Sequence, residues 1–397
     1  MKLNKKKLDI SIIVGGRFHA FDLAQQLDKY NLLNCLVTTY PKFFLKKFNI
    51  DKKKIKNFFF IELIKRVSKR LLNLFNIDIN DYFFNDHFDN CASNIDYKSN
   101  MIIGWSGFSK KTFLKNKNKI LVLERGSSHI LFQNQILKKA YEDLHIPYKS
   151  INEKLIKKEL DEYEIADFIS VPSIFAKNSF LEKKFLNTKL IQVPLGVNLN
   201  DFYRFKNKEK KNKLRIIYVG QLSVRKGIIY LLEAFDELTN TKKYNNIELV
   251  CIGDIDFEIE KKIKNFKKNN RIFFLGSKKQ QDLINYYNSS DIFILPSLEE
   301  GLAMVQLQAL ACGVPVISTK NSGAEDIIEN NTNGLIIEPF SVNDIKDKIV
   351  YFIENKQMIS IFSDKAIESS KKFTWEIYSK KLINIYKNIL AENNKNQ

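Results

Sequence analysis

Apolar residues fall into short β-branched runs separated by longer stretches with helical spacing. In the first half the runs are Ile10–Val14, Leu33–Val37, Met101–Gly104, Ile120–Leu123, Phe168–Val171 and Leu190–Val193. Helical spacing marks Ala20–Lys29, Gln133–Tyr141 and Asn152–Ala166. The second half repeats the alternation, with runs at Leu214–Val219, Ile247–Ile252, Ile272–Leu275, Ile292–Leu295, Val314–Ser318 and Gly334–Ile337. Helices are predicted there at Gly227–Leu238, Ile255–Lys267, Lys278–Tyr287 and from about Ala303. Such alternation predicts parallel strands joined by crossover helices. The chain therefore reads as α/β, with two doubly wound domains facing across a cleft. The turn-rich link Pro194-Leu195-Gly196-Val197-Asn198 and the charged stretch Asn207–Lys213 put the boundary after residue 195, giving domains 1–195 and 196–375.

Length and charge refine this picture. The chain has 397 residues, 44% of them apolar, enough for two cored domains. No apolar run approaches the ~20 residues of a membrane-spanning helix. The basic start, Met1-Lys2-Leu3-Asn4-Lys5-Lys6-Lys7, leads straight into a strand-like run, so no export signal is read. Cys35, Cys91, Cys251 and Cys312 lack metal-ligand or CxxC spacing and fit reduced thiols in a cytoplasm. Net charge is +19, with the lysines spread along most of the chain. Dispersed bases without a binding motif do not point to nucleic acid. Residues 42–72 differ, because they interleave Lys and Arg with Phe and Leu. That pattern suits either an anionic membrane surface or an ordinary amphipathic helix with a Phe-rich core face.

Ligands of doubly wound sheets bind beyond the carboxyl ends of the strands, so the strand exits carry the candidate chemistry. Pro296 to Val316 joins a buried strand to a helix, with Glu300 at the mouth of the turn and small or apolar residues after it. Free N–H groups at a helix start attract an anion, and a carboxylate accepts hydrogen bonds from hydroxyls. A phosphate beside a polyol is a nucleotide sugar. Gly220-Gln221-Leu222-Ser223-Val224-Arg225-Lys226-Gly227 also leaves a strand, and its two cations suit a departing diphosphate. Alone, they read rather as exposed bases of a Lys-rich chain, and the Glu300 turn at a matching strand end tips the reading to a diphosphate. Gly15-Gly16-Arg17-Phe18-His19 lets backbone approach a ligand closely, without a dinucleotide fingerprint. Glu124-Arg125-Gly126-Ser127-Ser128-His129 leaves another strand, where Glu124, Arg125 and His129 are candidates to meet an acceptor. His19 and His129 are candidate bases or sugar-binding groups, weighed against histidines with local hydrogen bonds. Asp254-Ile255-Asp256 is a D-x-D, read as a helix cap rather than a metal site. Trp375 is read as packing.

These residues resemble the donor domain of retaining GT-B glycosyltransferases of the group 1, family four type, including bacterial surface-polysaccharide enzymes. The resemblance spans nearly all of 190–391: Val219-Gly220 with Lys226-Gly227, Phe274-Leu275-Gly276, Tyr287 to Pro296-Ser297, Glu300-Gly301, Cys312-Gly313-Val314-Pro315-Val316, Gly334-Leu335 and Trp375. It implies two Rossmann-like domains, the first binding the acceptor and completed by a return helix at 376–397. Glu300, Lys226, Arg225 and His129 are the catalytic candidates. Donor binding is assigned to Gly16, Gln221, Arg225, Lys226, Gly276, Ser277, Glu300, Gly301, Leu302, Ala303, Met304, Val305 and Gln308. Acceptor binding is assigned to Arg17, His19, Glu124, Arg125 and Ser127. No metal and no cofactor beyond the nucleotide-sugar co-substrate is expected. The implied reaction moves a sugar, with retention, to a glycan or lipid-linked acceptor in polysaccharide or lipopolysaccharide assembly. It would occur in the cytoplasm or on the inner face of the cytoplasmic membrane. A sugar-nucleotide epimerase and a non-catalytic glycan- or nucleotide-binding protein are the alternatives.

Three departures stand out. The second glutamate of the family motif is Gln308, the arginine after the first strand of this domain is Gln221, and the histidine of the first domain is Glu124. An amide in place of the ribose-binding carboxylate loses about 1 kcal/mol of charge-assisted hydrogen bonding. Gln308→Glu is therefore expected to tighten nucleoside diphosphate binding about fivefold by calorimetric titration. Unchanged or weaker binding would remove ribose from this position.

Overall fold

Apolar runs without polar alternation belong where both faces of a sheet are covered. The computed structural model, which describes residues 7–73, 81–206, 213–241 and 243–395, puts them there. Residues 1–6 and most of the charged stretch 207–213 lie outside the described residues, as do the side chains of Lys69, Arg70 and Leu72.

The first sheet contains β1 (Ile10–Val14), β2 (Leu33–Thr38), β3 (Ile55–Asn57), β4 (Met101–Trp105), β5 (Ile120–Glu124), β6 (Phe168–Val171) and β7 (Leu190–Gln192). Its order is β3-β2-β1-β4-β5-β6-β7, parallel throughout. The helices are α1 (Ala20–Lys29), α2 (Phe59–Asn73), α3 (Asp81–Ser93), α4 (Lys110–Lys115), α5 (Ile130–Asp143), α6 (Glu153–Ile165) and α7 (Ile174–Glu182).

The second sheet contains β8 (Leu214–Val219), β9 (Ile247–Ile252), β10 (Ile272–Phe274), β11 (Ile292–Leu295), β12 (Val316–Thr319) and β13 (Gly334–Ile337). It is also parallel, in the order β10-β9-β8-β11-β12-β13. Its helices are α8 (Ile228–Asn240), α9 (Glu260–Phe266), α10 (Leu283–Asn288), α11 (Met304–Ala311), α12 (Val342–Glu354) and α13 (Lys356–Ser370). The last helix, α14 (Trp375–Asn393), packs on α1 and so returns to the first sheet. Among the described residues no helix is long and apolar enough to cross a membrane.

Local chemistry explains where the elements depart from the sequence pattern. The helix expected over Ile255–Lys267 starts late, because the Asp256 carboxylate accepts from the Glu258 N–H and closes a separate 3-10 turn before α9. The helix expected over Lys278–Tyr287 is shorter still. Ser277 donates from N and Oγ to Asp254 (3.2 and 2.6 Å), which holds the preceding loop out of a helix. β12 begins after Pro315, which has no N–H to give a ladder. β3 carries a single apolar residue and forms an edge strand, so no apolar run marks it.

Each sheet reverses direction once, between β1 and β4 and between β8 and β11. Such switch points open a crevice at the carboxyl ends of the strands. The turn at the second one is tight. Gly227 caps α8 with φ of 64°, and a Cβ there would overlap the Pro296 carbonyl oxygen. Gly227→Ala is expected to destabilise the fold by about 1–3 kcal/mol, through left-handed strain and that overlap. A melting temperature equal to wild type would contradict this reading of the turn.

Candidate functional site

The exits of both sheets open on one cleft of about 830 Å³. Gly15, Gly16, Arg17, His19, Glu124, Arg125 and Ser127 line it from the first sheet. Arg225, Lys226, Glu300, Leu302, Ala303, Met304, Val305 and Gln308 line it from the second. Residues from the exits of β1, β5, β8 and β11 thus share one cavity.

Two adjacent glutamates in the turn after β11 divide its work. Glu299 is fully buried and reaches across the domain junction. Its Oε1 accepts from Ser127 Oγ (2.6 Å), Ser128 Oγ (2.7 Å) and Ser128 N (3.1 Å). Its Oε2 accepts from Gln133 Nε2 (2.8 Å) and Arg225 Nε (2.9 Å). Burial alone would raise this carboxyl, but the Arg225 charge and the serine donors outweigh it and hold the pKa at about 2. In the sequence nothing sets Glu299 apart from its neighbour Glu300. Consecutive residues of a tight turn point apart, so an acidic pair can serve both the junction and the cleft.

Glu300 faces the cleft. Lys226 Nζ donates to its Oε2, and Arg225 lies 3.6 Å from its Oε1. Burial pushes the Glu300 carboxyl up, while Arg225 and Lys226 together hold it below the ordinary carboxylate range. Arg225 loses stability as a cation through burial, yet Glu300 and Glu299 keep it firmly protonated. Beside them α11 begins at Met304. Ala303 caps it without a side-chain acceptor, and Met304 and Val305 of its first turn line the cavity. Carboxylate, two cations and a helix start therefore meet in one place.

On the first domain, His19 Nε2 lies 3.4 Å from Glu124 Oε2. The His19 ring packs between Trp105 (5.1 Å) and Trp375 (6.5 Å). Glu124 is buried, and its Oε1 has no hydrogen-bond partner among the described residues. A buried carboxylate oxygen without a donor is costly unless a ligand or water supplies one. Arg125 is committed to Ser128 O (2.9 Å), Glu159 (2.9 Å) and Gln133 Oε1 (2.9 Å), which makes it scaffold beneath the cleft. Ser127 serves Glu299. Arg17 reaches the other domain, donating from NH2 to Gln280 Oε1 (3.1 Å). Gly16 accepts from Thr38 Oγ1 (3.3 Å) through its carbonyl.

His129 is not brought to the cleft. It is buried among Tyr163, Phe180 and Phe185, and its Nδ1 accepts from Leu131 N (3.2 Å) to cap α5. Burial and the nearby Arg125 lower its pKa to about 4, so it stays neutral. A helix cap with a committed nitrogen corrects its expected catalytic role. Gly301 also leaves the cleft wall: it abuts Gly126, and a Cβ there would overlap the Gly126 carbonyl. Gln221 and Ser277 line a neighbouring pocket of about 340 Å³ with Asp254, at the ends of β8 and β9. Gly276, at φ of 65°, accepts from Gly253 N through its carbonyl (3.1 Å) and fixes that loop. Asp256 is the cap expected of the D-x-D, whereas Asp254 instead ties down Ser277. Gln308 is held by Tyr287, whose OH lies 3.2 Å from its Oε1. Among the described residues no group of three or more His, Cys, Asp or Glu is arranged to hold a metal.

Residues 200–373 match the family described as glycosyl transferases group 1. An uncharacterized glycosyltransferase of Methanocaldococcus jannaschii is 30% identical over 328 residues, covering 80% of this chain and 79% of that protein. A lipopolysaccharide 1,2-N-acetylglucosaminetransferase of Salmonella typhimurium is 28% identical over 226 residues, covering 52% of this chain and 58% of that protein. Among solved structures, Anabaena HepE in complex with UDP and glucose has a TM-score of 0.67 at 14% identity, covering 96% of this chain and 99% of that one. That likeness is one of fold: two parallel-sheet Rossmann-like domains in the GT-B arrangement. The family match and the relative that aligns along most of both chains identify this chain as a member of the group 1 glycosyltransferases.

Proposed function

We propose that the cleft binds a nucleotide sugar and transfers its sugar, with retention, to a hydroxyl of a glycan or lipid-linked acceptor. Assembly of a surface polysaccharide or lipopolysaccharide is the process we infer. The observation that carries this reading is the convergence of Arg225 and Lys226 on Glu300 at the second switch point, within a cavity walled by both domains. The Salmonella relative, by its name a lipopolysaccharide glycosyltransferase, supports the process.

The chemistry follows from charge. As the bond from the anomeric carbon to the diphosphate breaks, the leaving oxygen gains negative charge. Arg225 and Lys226 meet that charge with little reorganisation, because the protein already holds them in place. Glu300 accepts hydrogen bonds from sugar hydroxyls, and the start of α11 faces the phosphates. Gln308 takes the ribose. The pocket beside Gln221 and Ser277 takes the base. In this reading the two side-chain cations alone neutralise the leaving group, and transfer runs without a metal. On the opposite wall, the unpartnered oxygen of Glu124 accepts the acceptor hydroxyl, with His19 orienting the carboxylate.

Lys226→Ala and Glu300→Ala are each expected to lower nucleoside diphosphate release from the donor at least about a hundredfold, in proteins that melt as wild type. Full activity in both would sink the reading, and NMR of the product anomer tests retention. Glu299 supplies a pH test. Its pKa is depressed from 4.5 to about 2, so its stabilisation is complete above about pH 4.5 and is lost as pH falls toward 2. Glu299→Gln should therefore melt lower than wild type at neutral pH, and the gap should close as pH drops through that window. A gap independent of pH would contradict the ionised bridge.

A further inference from the structure

Helix α2 lines the cleft with one face, and its two faces have opposite character. Glu62 and Lys65 line the cleft, while Ile61 is buried against the fold. On the other side Phe60 (66% exposed), Leu63 (46%), Ile64 (57%), Val67 (49%) and Leu71 (54%) face solvent. Their spacing makes one continuous apolar stripe on a helix. An amphipathic helix of a globular domain normally turns such a stripe inward. The Phe-rich core face allowed by the sequence is therefore not what α2 presents.

The preceding segment extends the patch. The rings of Phe43 (62% exposed) and Phe44 (49%) lie 4.2 Å apart, tilted by 36°, and Phe44 lies 5.4 Å from Tyr40, which neighbours Arg66 of α2. Residues 42–56 carry seven lysines against one aspartate. Lys42, Lys46, Lys52, Lys53 and Lys56 are exposed and have no ion pair among the described residues. A second copy of the chain would bring the same lysines against one another. Apolar side chains rimmed by unpaired cations complement a surface that is apolar inside and negative outside.

We propose that α2 and residues 42–56 dock the protein on an anionic lipid bilayer, with the mouth of the cleft at the lipid surface. Resting on the transfer reading above, this makes the acceptor a lipid-linked molecule presented by that surface. Apolar burial holds the helix at the headgroup boundary, and the lysines select anionic lipid.

The 397-residue chain is to be floated with phosphatidylcholine vesicles, with and without phosphatidylglycerol. Wild type is expected to bind those containing phosphatidylglycerol, with affinity falling as salt rises. The Leu63→Ser/Ile64→Ser/Val67→Ser variant and the Lys52→Gln/Lys53→Gln/Lys56→Gln variant should each bind at least about tenfold more weakly and melt as wild type. Absence of wild-type binding, or undiminished binding by both variants, overturns the proposal. So does a wild-type dimer, seen by light scattering, that the apolar variant dissolves while vesicles bind neither protein. The transfer reading has its own readout in thermal shifts by UDP, GDP and ADP, which both variants should retain. A protein that floats with vesicles but shows no nucleotide shift supports the docking and contradicts the transfer reading.

Discussion

One buried carboxylate ties the two halves of the molecule together. Glu299 leaves the second sheet and takes five donors, four from the loop and helix start after β5 and one from Arg225. Removing one side of a buried pair typically costs about 3–5 kcal/mol, because the other charge is stranded. Around this bridge the domains meet through other polar contacts. Asp326 accepts from Ile174 N (2.8 Å) and from Gln192, Tyr230 donates to Asp143, and Tyr141 donates to Glu258. Polar junctions of this kind can open and close at modest cost, unlike a fused hydrophobic core. The relative position of the two cleft walls thus depends on ionised Glu299.

The same turn sets the electrostatics of the cleft. Arg225 contacts both glutamates, so the bridge and the site share a cation. Lys226 is paired with Glu300. In the proposed reading, an incoming diphosphate would compete for Lys226, and sugar hydroxyls would replace it as donors to Glu300. Binding therefore exchanges one set of charge-assisted bonds for another rather than burying new charge unpaired.

Much of this was legible in the sequence, for physical reasons. Strands such as β1, β8, β9 and β11 are apolar runs broken by at most one polar residue, and burial on both faces demands that pattern. Glu300, Arg225 and Lys226 stand directly at strand exits, so topology alone brings them together. What stayed hidden depends on direction and on long-range partners. Whether His129 turns toward the cleft or back to cap α5 is a rotamer choice made by Tyr163, Phe180 and Phe185. The roles of Glu299 and Gly301 come from residues more than a hundred positions away. The outward stripe of α2 carries the same spacing as an inward one, and only the packed structure tells them apart.

The central claim is that Arg225, Lys226 and Glu300 form a nucleotide-sugar site. Thermal melting against a panel of uridine, guanosine and adenosine diphosphates and their sugar conjugates addresses it directly, since a ligand of the native state raises the melting temperature. The account predicts that one base is selected, that it raises melting by several degrees (about 2–3 kcal/mol at a hundredfold excess over Kd), and that Lys226→Ala abolishes the shift. No shift with any member of the panel, or a shift unaffected by Lys226→Ala, would contradict it.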